Sequence, residues 1–222
     1  MKPFVTLARA RTAGGAELTL HRHDEEFQLR VDGQVLMGTH APGSERMLAE
    51  LACAGLDSHT PPRRVLIGGL GFGYSLQRVL ELAGLDTVVQ VAELLPEVVA
   101  WNREFLAAVN GLLLDDRRVL TTIGDVVHTI ASAPAGHYDA ILLDVDNGPV
   151  AMVEPGNGRL YQSEGLASIR RSLKRGGRVT FWSASEDPAF ARHLAKAGFR
   201  VEVVPVRARR HSHTVFVADR PQ

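Results

Sequence analysis

The chain of 222 residues has one cysteine, no net charge and few aromatic residues, and each scarcity removes a class of protein. With Cys53 alone no intramolecular disulfide can form, and its apolar, helix-patterned surroundings (Leu48 to Leu56) point to burial and away from a nucleophilic thiol. Twenty-five basic residues balance 25 acidic ones, so the chain lacks the attraction that non-specific nucleic-acid binding draws on, and a duplex partner is not expected. No run approaches the roughly 20 apolar residues a bilayer span needs. The N-terminal MKPFVTLARARTAGG also lacks the apolar core of a secretory signal, so a cytoplasmic protein with no membrane partner is expected. Internal repeats and low-complexity tracts are absent as well. What remains, 45% hydrophobic and 23% charged residues, is an ordinary globular composition.

The patterning changes along the chain. Residues 16–39 alternate apolar and polar side chains, with Asp24 and Asp32-Gly33 as turn signals, which predicts antiparallel strands. Apolar residues at helical spacing over 44–56 follow Ser44, a candidate N-cap, and Pro61-Pro62 ends that pattern. Residues 1–60 are therefore read as a small β unit with a linking helix, and 61–222 as the main domain. From Arg64 onward, short β-branched runs alternate with helical patterns starting at Tyr74, Pro96, after Asp125, near Ser163 and at Pro188, which predicts a parallel sheet covered by helices. RVEVVPV (200–206) and HTVFVAD (213–219) are too close for a crossover helix, so the last strand should run antiparallel. Such an ending fits an α/β, seven-stranded, doubly wound methyltransferase-type (Rossmann-like) sheet.

Four elements fall at predicted strand ends. Gly69, Gly71 and Gly73 follow strand VLI and precede a helix, where glycines permit positive φ and close approach of a ligand; a plain strand-to-helix turn needs the same residues. Tyr74 stands where GxGxxG would have its third glycine, which disfavours a dinucleotide pyrophosphate. Glu93 closes VVQVAE 20 residues beyond Gly73, placed to accept hydrogen bonds from both ribose hydroxyls or to cap the next helix. Gly124-Asp125 closes VLTTI, and Asp125 can cap a helix, accept from an exocyclic adenine amine, or both. Asp144 and Asp146 belong to Asp144-Val145-Asp146-Asn147-Gly148-Pro149 after the apolar AILL, a run that is also turn-forming by composition. His21, His23 and Asp24-Glu25-Glu26 read as a solvated turn, and no metal site is expected. Arg207, Arg209, Arg210, His211 and His213 form a basic turn that would be solvated or would meet an anionic group.

In order and spacing, VLIGGLGFGYSLQRVL, VAELLPEVV, DDRRVLTTIGD, YDAILLDVDNGP and RLYQSEGLASIRRSLKRGGRV resemble the polyamine aminopropyltransferases, the spermidine synthase family of the class I S-adenosylmethionine-dependent methyltransferase superfamily. The resemblance implies a nucleoside site made by Gly69, Leu70, Gly71, Phe72, Gly73, Glu93, Leu94, Gly124, Asp125, Val126 and Asp144. Within it Glu93 would bind ribose, Asp125 adenine, and Asp144 would handle the attacking amine as the catalytic residue. Asp146, Asn147 and Tyr161 would face a small-molecule acceptor such as a polyamine. The donor would be S-adenosylmethionine or its decarboxylated form, and the N-terminal strands are a candidate surface for a homodimer.

Departures from the family pattern matter too. The acid that grips the donor amine from within the glycine loop is replaced by Phe72, so an acid restored there is expected to improve use of the decarboxylated donor. Many methyltransferases carry an acid two residues before the first glycine, and here that residue is Ile67, so the loop favours neither donor. The family's DSSDPxGP is shortened, and its EMLAH reads Arg46-Met47-Leu48-Ala49-Glu50, so its diamine contacts do not carry over. Aminopropyl transfer, small-molecule methyl transfer and a nucleoside-binding protein without turnover all fit this pattern. The first is the reading adopted.

Overall fold

The computed structural model describes residues 4–12, 14–39, 42–55, 63–145, 155–207 and 212–222. Four strands, β1 (Val5–Arg11), β2 (Glu17–His23), β3 (Glu26–Val31) and β4 (Gln34–Gly38), form an antiparallel meander. Its turns are where the sequence put them: Asp24 and Asp32 have φ of 53° and 47°, values that Asp tolerates better than most residues. The first strand, β1, alternates only over its second half, where Ala8 and Ala10 are half-buried and Arg9 and Arg11 exposed, and it is held by its pairing to β2.

The main sheet has the order β10-β11-β9-β8-β5-β6-β7, where β5 is Arg64–Gly68, β6 Val88–Glu93, β7 Val119–Ile123, β8 Tyr138–Leu143, β9 Leu173–Ser183, β10 Arg200–Arg207 and β11 Ser212–Asp219. Strand β11 is antiparallel to both its neighbours, and the five strands from β9 to β7 run parallel. This is the predicted seven-stranded sheet. The central strands are buried on both faces, and their alternation divides the core: Val65, Ile67, Val89, Val91, Ala140 and Leu142 point to one side, Leu66, Ala92, Ile141 and Leu143 to the other.

Helices α1 (Gly43–Cys53), α2 (Tyr74–Leu82) and α3 (Pro96–Glu104) share the first side with the meander, whose Leu18, Leu20, Phe27 and Leu29 join that core. A short helix, α4 (Ala107–Asn110), follows α3, and α5 (Val126–Ser132), α6 (Ser163–Ser172) and α7 (Pro188–Lys196) cover the second side. Helix α1 starts one residue earlier than the sequence suggests and is not capped by Ser44. Pro42 holds the cap position, and Ser44 lies buried in the first turn, donating its Oγ to Glu45 Oε2 at 2.6 Å. Although its sequence neighbours belong to the meander, α1 packs against α2. Its carbonyls at Leu51 and Leu48 accept from Arg178 Nη1 (2.8 Å) and Thr180 Oγ1 (3.4 Å) of β9. Among the described residues no helix is long and apolar enough to cross a membrane.

Candidate active site

In parallel register Gly68 lies beside Ala92 and Leu143, and Glu93 beside Ile123, so the four residues that follow, Gly69, Leu94, Gly124 and Asp144, leave the sheet at one edge. The strand order reverses at β5, where β6 and β8 diverge to either side, and a crevice opens there, as doubly wound sheets require. Its walls include Gly69, Gly71, Glu93, Leu94, Gly124, Asp125, Val126 and Asp144 from the main sheet, with Leu29, Leu36 and Met37 of β3 and β4 closing it from the meander. A β unit outside the nucleotide fold therefore supplies one side of the cavity.

The glycine loop is fixed by contacts that leave no room for side chains. Gly69 has φ of 85°, and a Cβ there would collide with the Asp144 carbonyl; one at Gly71 would meet the Met37 methyl at 2.8 Å. Gly73, at φ 82°, takes the N-cap position of α2 and faces Asn102 and Asn110, away from the crevice. Two side chains that the sequence analysis did not single out hold this geometry. Asn102 Nδ2 donates to the Gly71 carbonyl at 2.8 Å, and Asn110 Nδ2 to the Phe72 carbonyl at 3.0 Å and to Asn102 Oδ1 at 2.6 Å. Both asparagines are buried, and with their carbonyls occupied, the loop presents its other face to the crevice.

Glu93 is only 7% exposed, and burial pushes its carboxyl above the ordinary range. It is held by backbone donors: Leu70 N–H reaches Oε2 at 2.8 Å and Leu95 N–H reaches Oε1 at 2.9 Å. The Gly71 and Leu94 amides also favour its charged form, so the carboxylate pins the loop through several backbone donors at the crevice wall. Asp125 caps α5 by accepting from Val127 N–H at 2.7 Å, and it also lines the crevice. The two roles that the sequence left open are compatible here.

Asp144 sits one residue past the end of β8, its N–H donating to the Gly68 carbonyl at 2.9 Å. Burial first and the charge of Glu45 second raise its pKa to about 8, with a Ser75 hydroxyl at 3.5 Å only partly offsetting this. Glu45 comes from the first turn of α1, lines the same crevice, and also loads the Tyr74 hydroxyl, whose pKa burial chiefly raises to about 12. The family pattern aligned with this helix starts at Arg46, one residue beyond Glu45. Its signal was there only as an acid in the first turn after Pro42-Gly43-Ser44.

Leu70, Phe72 and Tyr161, like Gly73, fall away from the crevice. The Phe72 ring is 4% exposed and packs in the core with Leu70, not in the crevice; alternation along the loop turns these side chains inward while Gly69 and Gly71 face out. An acid at position 72 would be buried among apolar side chains, so the expected gain in donor use from restoring one there is withdrawn. Tyr161 stacks against Phe190 and Phe181 (ring centroids 5.2 and 5.9 Å apart) on the second side of the sheet. Asp146 and Asn147 lie outside the described residues, as does most of the basic turn before β11. His21, read as part of a solvated turn, has Thr6 Oγ1 at 3.2 Å and Thr19 Oγ1 at 2.9 Å of its two ring nitrogens. Among the described residues no three His, Cys, Asp or Glu side chains are grouped to hold a metal ion.

Comparison with known proteins places this geometry. Residues 44–199 match the spermine/spermidine synthase domain. The polyamine aminopropyltransferase of Mycobacterium tuberculosis (strain ATCC 25618 / H37Rv) is 29% identical over 171 residues, which cover 76% of this chain and 31% of that protein. Putrescine N-methyltransferase 1 of Nicotiana tabacum is 29% identical over 126 residues, 56% of this chain and 31% of that protein. The chain thus spans about a third of the length of these curated relatives. Among solved structures, spermidine synthase from Thermotoga maritima superposes with a TM-score of 0.72 at 16% identity, covering 97% of this chain and 72% of that one. A spermidine synthase in complex with the transition-state analogue AdoDATO gives 0.71 at 17% identity, with the same coverage. At that identity the structural likeness establishes the fold, and the match over residues 44–199 establishes that this chain belongs to the spermine/spermidine synthase domain family.

Proposed function

We propose that the protein transfers the aminopropyl group of a decarboxylated S-adenosylmethionine-type donor to a small amine. The observation that carries the reading is the convergence of Gly69, Gly71, Glu93, Asp125 and Asp144 on one crevice at the carboxyl ends of β5 to β8. Ribose hydroxyls would lie on Glu93, adenine between Asp125 and the apolar Leu94 and Val126, and the sulfonium near Asp144. In the reaction the acceptor nitrogen's lone pair attacks the methylene next to sulfur, and the carbon–sulfur bond breaks. Its electron pair returns to sulfur as a neutral thioether, and the new ammonium loses a proton.

That nitrogen must arrive unprotonated, whereas an alkyl amine has a pKa of about 10 in water. Asp144 is placed to take the proton. Its carboxyl, held neutral near pH 7 by burial and Glu45, would ionise once a cationic donor enters, because positive charge nearby favours the carboxylate. The crevice also removes water from the amine, which lowers the amine's pKa. Methyl transfer from S-adenosylmethionine to a small amine is the second reading, favoured by the similarity to putrescine N-methyltransferase 1.

Calorimetry with methylthioadenosine, the nucleoside part of the donor, tests the site. Glu93→Ala should weaken its binding by about 1.5–3 kcal/mol, the usual worth of hydrogen bonds to a charged group. Unchanged affinity in a variant that keeps its cooperative thermal transition would remove Glu93 from the site.

A further inference from the structure

The donor's tail poses a question that the glycine loop does not answer. A decarboxylated donor ends in a primary ammonium, the loop Gly69 to Gly73 offers no acid to meet it, and the Phe72 ring is committed to the core. A cation carried into a largely apolar crevice without a partner would cost several kcal/mol, so some other anion has to face it.

We infer that Glu45, at the start of helix α1, is the residue that holds the donor's terminal ammonium and selects the decarboxylated donor over S-adenosylmethionine. The inference rests on the nucleoside reading above, and the geometry supports it from three directions. First, of the carboxylates lining the crevice, Glu93 is bound to the Leu70 and Leu95 amides and Asp125 to the Val127 amide. Among the described residues the Glu45 carboxylate accepts from the Ser44 hydroxyl, and Asp144 has the long Ser75 contact. Second, Glu45 and Asp144 line the same crevice, and α2 ties their segments together: Ser75 Oγ lies 3.3 Å from the Glu45 main-chain carbonyl and 3.5 Å from Asp144 Oδ2. Third, the charge of Glu45 opposes ionisation of Asp144, and a cation beside both, as an ammonium tail would provide, relieves that opposition. A donor that keeps its α-carboxylate brings a third negative charge to the same place and should be rejected.

Asp144 touches the reacting centre and Glu45 the tail, so their losses are separable. Titration calorimetry would use methylthioadenosine, decarboxylated S-adenosylmethionine and S-adenosylmethionine against the wild-type protein and Glu45→Gln, which keeps the size and the Ser44 contact. The wild type should prefer the decarboxylated donor to S-adenosylmethionine. Glu45→Gln should bind the decarboxylated donor at least about ten-fold more weakly. It should leave methylthioadenosine within about two-fold and narrow the gap between the two donors. Repeating the titrations at pH 7 in two buffers of different ionisation enthalpy should show a proton released with the decarboxylated donor and not with methylthioadenosine, as Asp144 ionises. If the ratio of decarboxylated donor to methylthioadenosine affinity is the same in both proteins, or if the wild type prefers S-adenosylmethionine, the role of Glu45 is wrong while the nucleoside site stands. Failure of methylthioadenosine to bind the wild type would overturn the nucleoside site and this inference with it.

Discussion

Asp144 is the residue whose environment and assigned chemistry make the sharpest joint prediction. In the unfolded chain its carboxyl titrates near 3.8, and in the fold near 8, so between those values the folded state binds the extra proton and stability falls as pH rises. Asp144→Asn removes that penalty. Thermal melts should therefore show the variant matching wild type at pH 4 and exceeding it by at least about 3 °C at pH 9, since 1 kcal/mol moves Tm by roughly 2–4 °C in a chain this long. The same variant cannot accept a proton, and turnover with a diamine should drop at least about 100-fold while methylthioadenosine still binds. Equal melts at pH 9 would place the group in a more solvated setting than the crevice, and normal turnover would move the base elsewhere. Asp144 was legible in the sequence because it ends an unbroken apolar strand. Glu45 was not, because its significance depends on its charge acting on a residue 99 positions along the chain, which no local pattern records.

Elements were read more faithfully than caps and edges. Strands β5 to β8 announced themselves as β-branched runs closed by Gly or an acid, and α3 and α7 by a proline in the first turn. Strand β1 was missed because Ala8 and Ala10, which pack against the core, are too small to mark an apolar face, and α4 because four residues are too few for a period. The buried pair Asn102 and Asn110 escaped notice because asparagine in a helix or turn is ordinarily solvated. Helix α5 gives the element-level test, since its cap and the adenine contact reside in one side chain. Asparagine caps as well as aspartate does, whereas alanine costs about 1 kcal/mol. Asp125→Asn should leave the melt unchanged yet weaken methylthioadenosine, because an amide offers an adenine amine a neutral acceptor; Asp125→Ala should lose both. Full affinity in Asp125→Asn would reduce Asp125 to a capping residue.

At the scale of the whole molecule, the crevice is closed by Leu29, Leu36 and Met37 from a sheet that is not part of the nucleotide fold, and bound nucleoside would touch both bodies at once. A ligand that requires the meander to be docked stabilises the docked state by RT ln(1 + [L]/Kd), about 2.7 kcal/mol at 100 times Kd. Hydrogen exchange should therefore slow in β3 and β4 together with the glycine loop when methylthioadenosine is added, and protection confined to the loop would show that the meander is not a wall of the occupied site. The contact between Gly69 and Asp144 carries a different consequence. Because any side chain at 69 would push into the Asp144 carbonyl, the glycine loop and the end of β8 are one closely fitted piece, and neither can change without the other. Glu45 belongs to a separate helix, α1, and can be exchanged without disturbing that piece, so on the proposal made above the choice of donor would change by substitution on one helix while the nucleoside crevice stays fixed.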